Sequence, residues 1–175
     1  MTKKTEVEGW YKFAEHIPLP VWPEQNASCG YPDIAQMKPI AVIHHIMQGY
    51  ASTMINWAKE SSGIQKSAHF IIDRQGNITQ TVSIYTPAWH AGGVNNPSWS
   101  GYKGGNPNKY TIGIEIEGFS IKPSYGYDYL YSDSVPWPTS MVKAITKVTN
   151  WCMQQTGIVP SVDTLIGHYE VDAVN

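Results

Sequence analysis

The pattern of apolar and polar residues first predicts a buried strand at PIAVIHHI, residues 39–46, which is apolar on both of its faces. Alternate residues of an extended chain share a face, so His44 points the same way as Val42 and Ile46. His45 points the other way together with Ile43. The two neighbouring histidines are therefore predicted to lie on opposite sides of one strand.

Further along the chain the pattern predicts strands interleaved with helices. In order, these are a helix at 51–63, a hairpin at 68–82, a strand at 110–118 (YTIGIEIEG), a helix at 139–157 and a short strand at 162–168. The longer helix is predicted to be capped by Thr139, to end at Gly157 and to bury positions that include Val142. This alternation predicts a single α/β domain with a mixed central β-sheet flanked by helices.

Proline and glycine mark the irregular parts. Residues 1–38 contain four prolines and little apolar periodicity, which predicts an irregular N-terminal arm packed on a domain at 39–175. Two long loops are predicted at 83–110 and 119–137, and the second is rich in tyrosine. Long loops in compact domains are often functional.

Composition excludes some classes of protein. A net charge of -2 with 15% charged residues gives no general attraction to nucleic acid. We expect no membrane span, because no apolar run reaches about 18 residues, and no secretory signal, because no apolar stretch follows the charged start. Cys29 and Cys152 are expected to be buried thiols, with one long-range disulfide as the alternative.

Histidine and glutamate are the candidate chemical groups. Several of the six histidines fall at or beside strand ends, an arrangement that favours a metal or catalytic site, and zinc is the natural metal for imidazole ligands. Glu115 is the candidate general base and Glu117, on the same strand face, is the competing choice. The alternative is that both glutamates lie on a solvated face. No serine-nucleophile or phosphate-binding motif is present.

Five segments in order carry a resemblance to a known family: AVIHHI, SAHFIIDRQGNITQTV, AWHAGG, TIGIEIEG and LIGHYEV. Together they resemble the zinc-dependent N-acetylmuramoyl-L-alanine amidases, which include phage endolysins and peptidoglycan recognition proteins. The resemblance covers roughly residues 39–175 and implies a zinc at the foot of a peptidoglycan groove. It implies that His44 and His168 bind zinc, that Glu115 is the catalytic acid and base, and that His45 packs.

The resemblance also implies a substrate side. Trp89 and His90 would line the groove, while His69 is equally open to a groove-lining or a structural role. Asn95, Asn96 and Trp99 are further candidates for substrate contact.

One feature of the family pattern is missing. A third zinc ligand, Cys or Asp, normally follows the second histidine, but here Glu170 and Asp172 do not match that motif. We therefore expect the domain to be truncated at its C-terminus or part of a longer protein; the alternative is that Asp172 substitutes, if its segment folds so that the carboxylate reaches the metal.

Two functions remain open from sequence alone. The first is hydrolysis of the amide between N-acetylmuramic acid and L-alanine by a cell-wall lysin that is made in the cytoplasm and released at lysis or exported. The second is a peptidoglycan-binding module without catalytic zinc. In both, the expected partner is peptidoglycan, glycan strand and stem peptide, and the chain is expected to be a monomer.

Overall fold

The elements of the fold follow the predicted order closely. The computed structural model describes residues 8–18, 37–60, 67–91, 97–118 and 136–171. Its strands are β1 (Glu15–His16), β2 (Ala41–Ile46), β3 (Phe70–Ile72), β4 (Ile78–Gln80), β5 (Thr111–Ile116) and β6 (Leu165–Gly167). Its helices are α1 (Ala51–Glu60) and α2 (Thr139–Thr156), with 3-10 turns at Pro107–Lys109 and His168–Glu170.

The strands form one mixed sheet in the order β1-β4-β3-β5-β2-β6. Only the β3–β4 hairpin is antiparallel among the described pairs; β5 runs parallel to β2 and β3, and β6 runs parallel to β2. This confirms the predicted α/β fold with a mixed central sheet. Because β5, β2 and β6 are parallel neighbours, their carboxyl ends meet at one edge of the sheet.

The larger hydrophobic core lies between one face of this sheet and α2. Val42 of β2 and all three isoleucines of β5 pack there against Met141, Val148 and Cys152 of the helix. A smaller cluster on the opposite face joins Ile43, Ala91, Trp99 and Ile166. Alternate residues of β2 therefore belong to different clusters, as the predicted alternation of side chains along the strand requires.

Helix α2 differs from its prediction at two positions. Pro138 takes the N-cap position and no side chain caps the helix, so Thr139 is its first residue. Val142 is 44% exposed, whereas Ala144 and Thr149 are buried in its place. Gly157 ends the helix in the left-handed conformation, at φ 75°, as predicted. Cys152 is a buried free thiol whose pKa is raised by desolvation, while Cys29 lies outside the described residues.

The described part of the arm, residues 8–18, joins the sheet through β1. Gln80 of β4, fully buried, holds this segment: its Oε1 accepts from the Tyr11 amide at 2.7 Å and its Nε2 donates to the Gly9 carbonyl at 2.7 Å. Nε2 also donates to the Val82 carbonyl at 3.0 Å. One amide side chain therefore satisfies three backbone groups. The arm boundary at residue 38 remains a prediction.

No helix within the described ranges is both long and apolar enough to cross a membrane. The tyrosine-rich loop falls almost entirely outside the described residues, which resume at residue 136.

Replacing Gln80 by Leu is expected to loosen the arm. The change removes three hydrogen bonds and leaves buried backbone groups unsatisfied, which costs about 2–4 kcal/mol of unfolding free energy. Urea unfolding measures the loss, and limited proteolysis should then cut near residues 8–18. Gln154→Leu on the exposed surface of α2 is the matched control and should shift stability by no more than about 0.5 kcal/mol. Equal stability of the two variants would contradict this account of the arm.

Candidate active site

The candidate site lies where β5, β2 and β6 meet, and the strand register decides its members. His45 of β2 pairs with Glu115 of β5, and Gly167 of β6 pairs with His44. His168 follows Gly167 directly and so lies alongside His45. Paired residues of parallel strands share a face, so His45, Glu115 and His168 come together on one side of the sheet.

Three imidazoles are in contact at this point. The ring centroids of His45 and His168 are 4.6 Å apart, and those of His45 and His90 are 5.2 Å apart. His45 Nε2 lies 3.1 Å from His90 Nδ1. His45 is 2% exposed and His90 is 7% exposed, while His168 is half-buried. The cluster therefore has a buried end at His90 and a more open end at His168.

His44 is on the other side of the sheet. Its Nε2 lies 3.0 Å from the Thr149 hydroxyl of α2, at the margin of the larger core. The resemblance implies that His44 and His168 bind zinc together and that His45 packs, but the structure places His45, and not His44, on the side of the sheet that carries His168. The physical reason is the register: His44 is paired with Ile114, which points at α2, and alternate residues of a strand point to opposite sides.

The two glutamates of β5 have different surroundings. Glu117 is 7% exposed, and its Oε2 accepts a hydrogen bond of 2.9 Å from the Arg74 amide, so it holds the β3–β4 turn. Glu115 is half-buried beside His45. Its Oε2 and the Nε2 of His168 are buried atoms that make no hydrogen bond within the described residues, although both side chains make other contacts. Of the two, Glu115 is the carboxylate that borders the imidazole cluster.

The three predicted groove residues differ in exposure. His69 is fully buried; its Nε2 donates to the Thr86 carbonyl at 2.9 Å and its Nδ1 accepts from the Gly113 amide at 3.0 Å. Both ring nitrogens bond backbone, which favours the structural role over the groove-lining one. His90 is also buried, beneath His45. Trp89 is half-buried, and its contact with substrate stays a prediction.

Trp99, predicted to contact substrate, is instead buried inside the protein. It is 7% exposed, packs in the smaller core cluster, and its Nε1 donates to the Asp163 carbonyl at 3.0 Å. Asn95, Asn96 and Asp172 lie outside the described residues. Glu170 accepts a hydrogen bond of 2.7 Å from the Gly167 amide and so fixes the turn that carries His168.

Burial keeps these imidazoles neutral. Desolvation lowers the pKa of His45 and of His90 well below the usual value, and neighbouring histidines lower both further. Desolvation lowers the pKa of His69 to about 4 and also lowers that of His44. Neutral imidazole is the form that binds a metal ion. Within the described ranges no group of three or more His, Cys, Asp or Glu side chains is arranged to hold a metal. His45 and His168, with ring centroids 4.6 Å apart, are therefore a pair of candidate ligands and not a complete set.

Comparison with known proteins assigns the family. The chain belongs to the N-acetylmuramoyl-L-alanine amidase family, whose sequence model matches residues 36–174. It is 34% identical over 119 residues to N-acetylmuramoyl-L-alanine amidase A of Achromobacter lyticus, covering 67% of this chain and 53% of the relative. It is 31% identical over 106 residues to the 1,6-anhydro-N-acetylmuramyl-L-alanine amidase AmpD of Haemophilus influenzae, covering 60% of this chain and 47% of that protein. The chain thus spans about half the length of these curated relatives.

Solved structures share the fold. The crystal structure of a selenomethionine AmpD derivative matches with a TM-score of 0.63 at 21% identity, over 97% of this chain and 88% of that one. The Escherichia coli amidase AmiD, in complex with anhydro-N-acetylmuramic acid-L-Ala-D-γ-Glu-L-Lys, matches with a TM-score of 0.59 at 20% identity, over 79% and 51%. These likenesses confirm the expected amidase fold.

Two residues in or beside the cluster were not placed there by sequence reasoning. His45 was expected to pack, and Asn108, whose Oδ1 accepts from the His90 and Ala91 amides at 2.9 and 2.7 Å, was not singled out. The sequence did contain a signal for His45. His44 shares a strand face with Val42 and Ile46, and this apolar face packs on the same side of the sheet as the isoleucines of β5. His45 therefore lies on the other side, with Glu115.

The stability of the protein is expected to fall as the pH drops from about 6.5 to 4, partly through His69. The pKa of His69 in the folded protein lies below the ordinary value of 6.5, so the unfolded chain binds more protons in this interval. The free energy of unfolding therefore falls by an amount on the order of 3 kcal/mol. Urea unfolding with a chelator present measures this. A His69→Gln protein should be less stable at neutral pH but lose about 2 kcal/mol less on going from about pH 7.5 to 4.5. If the unfolding free energies of the two proteins changed in parallel with pH, His69 would not contribute to the pH dependence.

Proposed function

We propose that the chain hydrolyses the amide bond between N-acetylmuramic acid and L-alanine in peptidoglycan. The observation that carries the proposal is the strand register, which sets Glu115 opposite His45 and brings His168 beside it. Membership of the amidase family and the identities to the two curated amidases support the reaction.

The donor set fits zinc in part. The two imidazoles of His45 and His168, with ring centroids 4.6 Å apart, would be two of the three protein ligands that a catalytic zinc takes. We propose that His45 and His168 supply them, with His45 in the role that the family resemblance gave to His44. Bound zinc supplies a Lewis acid and lowers the pKa of water to near 7.

Glu115 is the proposed acid and base. Its carboxylate would take a proton from the attacking water and deliver it to the leaving amine of L-alanine. A half-buried position beside the neutral His45 ring lets Glu115 exchange protons while bulk water is partly excluded. Trp89, partly exposed next to His90, is the proposed contact for the stem peptide.

Replacing Glu115 by Gln is expected to reduce release of L-alanine amino termini from purified peptidoglycan about 100-fold or more, because the general base is lost. Zinc content should stay near that of the unmodified protein. Glu117→Gln is the matched control: it is the same change on the same strand face, the amide still accepts from the Arg74 backbone, and activity should persist. Normal activity of Glu115→Gln would remove the proposed base. Wall binding without amide release by the unmodified chain would instead support a binding module.

Alanine substitutions at the neighbouring histidines test which of them binds zinc. His45→Ala is expected to weaken zinc binding about 100-fold or more, measured by competition with a chromophoric chelator. His44→Ala should leave the affinity nearly unchanged, because that ring contacts Thr149 on the α2 side of the sheet. Circular dichroism checks that both variants fold. The reverse order of affinities would restore His44 as the ligand and contradict the proposed site.

A further inference from the structure

His90 is held in one position from two directions. Its backbone amide donates to Asn108 Oδ1 at 2.9 Å, and its ring lies against the backbone of Gly113 in β5. A Cβ built at Gly113 would come within 2.3 Å of His90 Cγ, so any larger residue there would displace the ring. Glycine in this strand therefore makes the space that His90 occupies.

The partners of His90 fix the position of its proton. Nε2 lies 3.1 Å from the Thr111 backbone carbonyl, which only accepts, so Nε2 carries the hydrogen. The Thr111 hydroxyl donates to the Pro107 carbonyl at 2.7 Å and is not available as a donor to the ring. The His90 side chain is only 7% exposed, where an unpaired charge would be costly, so the ring is neutral and its Nδ1 has a lone pair.

The same reasoning extends to His45. Its Nε2 lies 3.1 Å from His90 Nδ1, which as a lone pair accepts, so His45 Nε2 carries the hydrogen. A neutral His45 then has its one in-plane ring lone pair on Nδ1. His90 thus connects His45 to the Thr111 carbonyl by two hydrogen bonds in series, each pointing the same way.

We propose that His90 is a positioning residue, which holds His45 as the Nε2-protonated tautomer and leaves Nδ1 as the nitrogen that binds the metal. This inference rests on the proposed zinc site at His45 and His168. Metal-binding histidines generally donate their second ring N–H to a protein acceptor, which orients the ring and raises its basicity. Here the acceptor is another imidazole, and the backbone carbonyl behind it sets the direction of both bonds.

Two amide substitutions at His90 test the contribution of each ring nitrogen on its own. Asn puts an acceptor oxygen where Nδ1 was and gives up the bond to Thr111, whereas Gln reaches the Nε2 position with a donor and gives up the acceptor. Zinc affinity by chelator competition is expected to fall about 10- to 100-fold in His90→Gln and to stay within about 3-fold in His90→Asn. Equal losses in both variants, or a larger loss in His90→Asn, would overturn the proposal.

A measurement on the unmodified, metal-free protein keeps the test independent of how the variants fold. Nitrogen-15 NMR of the imidazoles distinguishes the tautomers, and His45 is expected to be protonated on Nε2 and not on Nδ1. A His45 protonated on Nδ1, or charged near neutral pH, would overturn the inference. Neither readout involves peptidoglycan, so absence of amidase activity alone leaves this result standing. Absence of zinc binding by the unmodified chain would overturn the metal role and the proposed site together.

Discussion

Parallel pairing of β2 with β5 is the constraint on which the site depends. Every residue of β2 is matched to one residue of β5, and side chains alternate between the two faces of the sheet. Burying the isoleucines of β5 against α2 therefore commits Glu115 to the opposite face, together with His45. A shift of one residue in this pairing would put the apolar side chains on the site face and a carboxylate in the core.

Neutral imidazoles can be packed closely because none of them needs to carry charge. His45, His69 and His90 are almost fully buried, and each bonds to backbone or to another ring. In water each ring would be partly protonated near neutral pH, and three charges at such distances would repel strongly. These three rings are thus held together by desolvation, which keeps them neutral, and by directional hydrogen bonds.

Local sequence patterns predicted most of the fold. The alternation in TIGIEIEG, the turn after Ile72 and the glycine that ends α2 are short-range signals, and the elements appear where they predict. The same patterns placed His44 and His45 on opposite faces but did not decide which face meets His168. That choice depends on pairing between strands far apart in sequence. The burial of His69 and Trp99 could not be predicted either. Segments distant in sequence cover these side chains, and that covering decides whether a polar ring lines a groove or packs beneath it.

The short strand β1 has a consequence for the behaviour of the protein in solution. It covers the outer edge of β4, which would otherwise present unpaired backbone groups beside apolar Ile78. Open strand edges of this kind invite pairing with other chains and so promote aggregation. The segment around β1 therefore serves the colloidal stability of the domain, because it occupies the edge at which a second molecule would add its own strand.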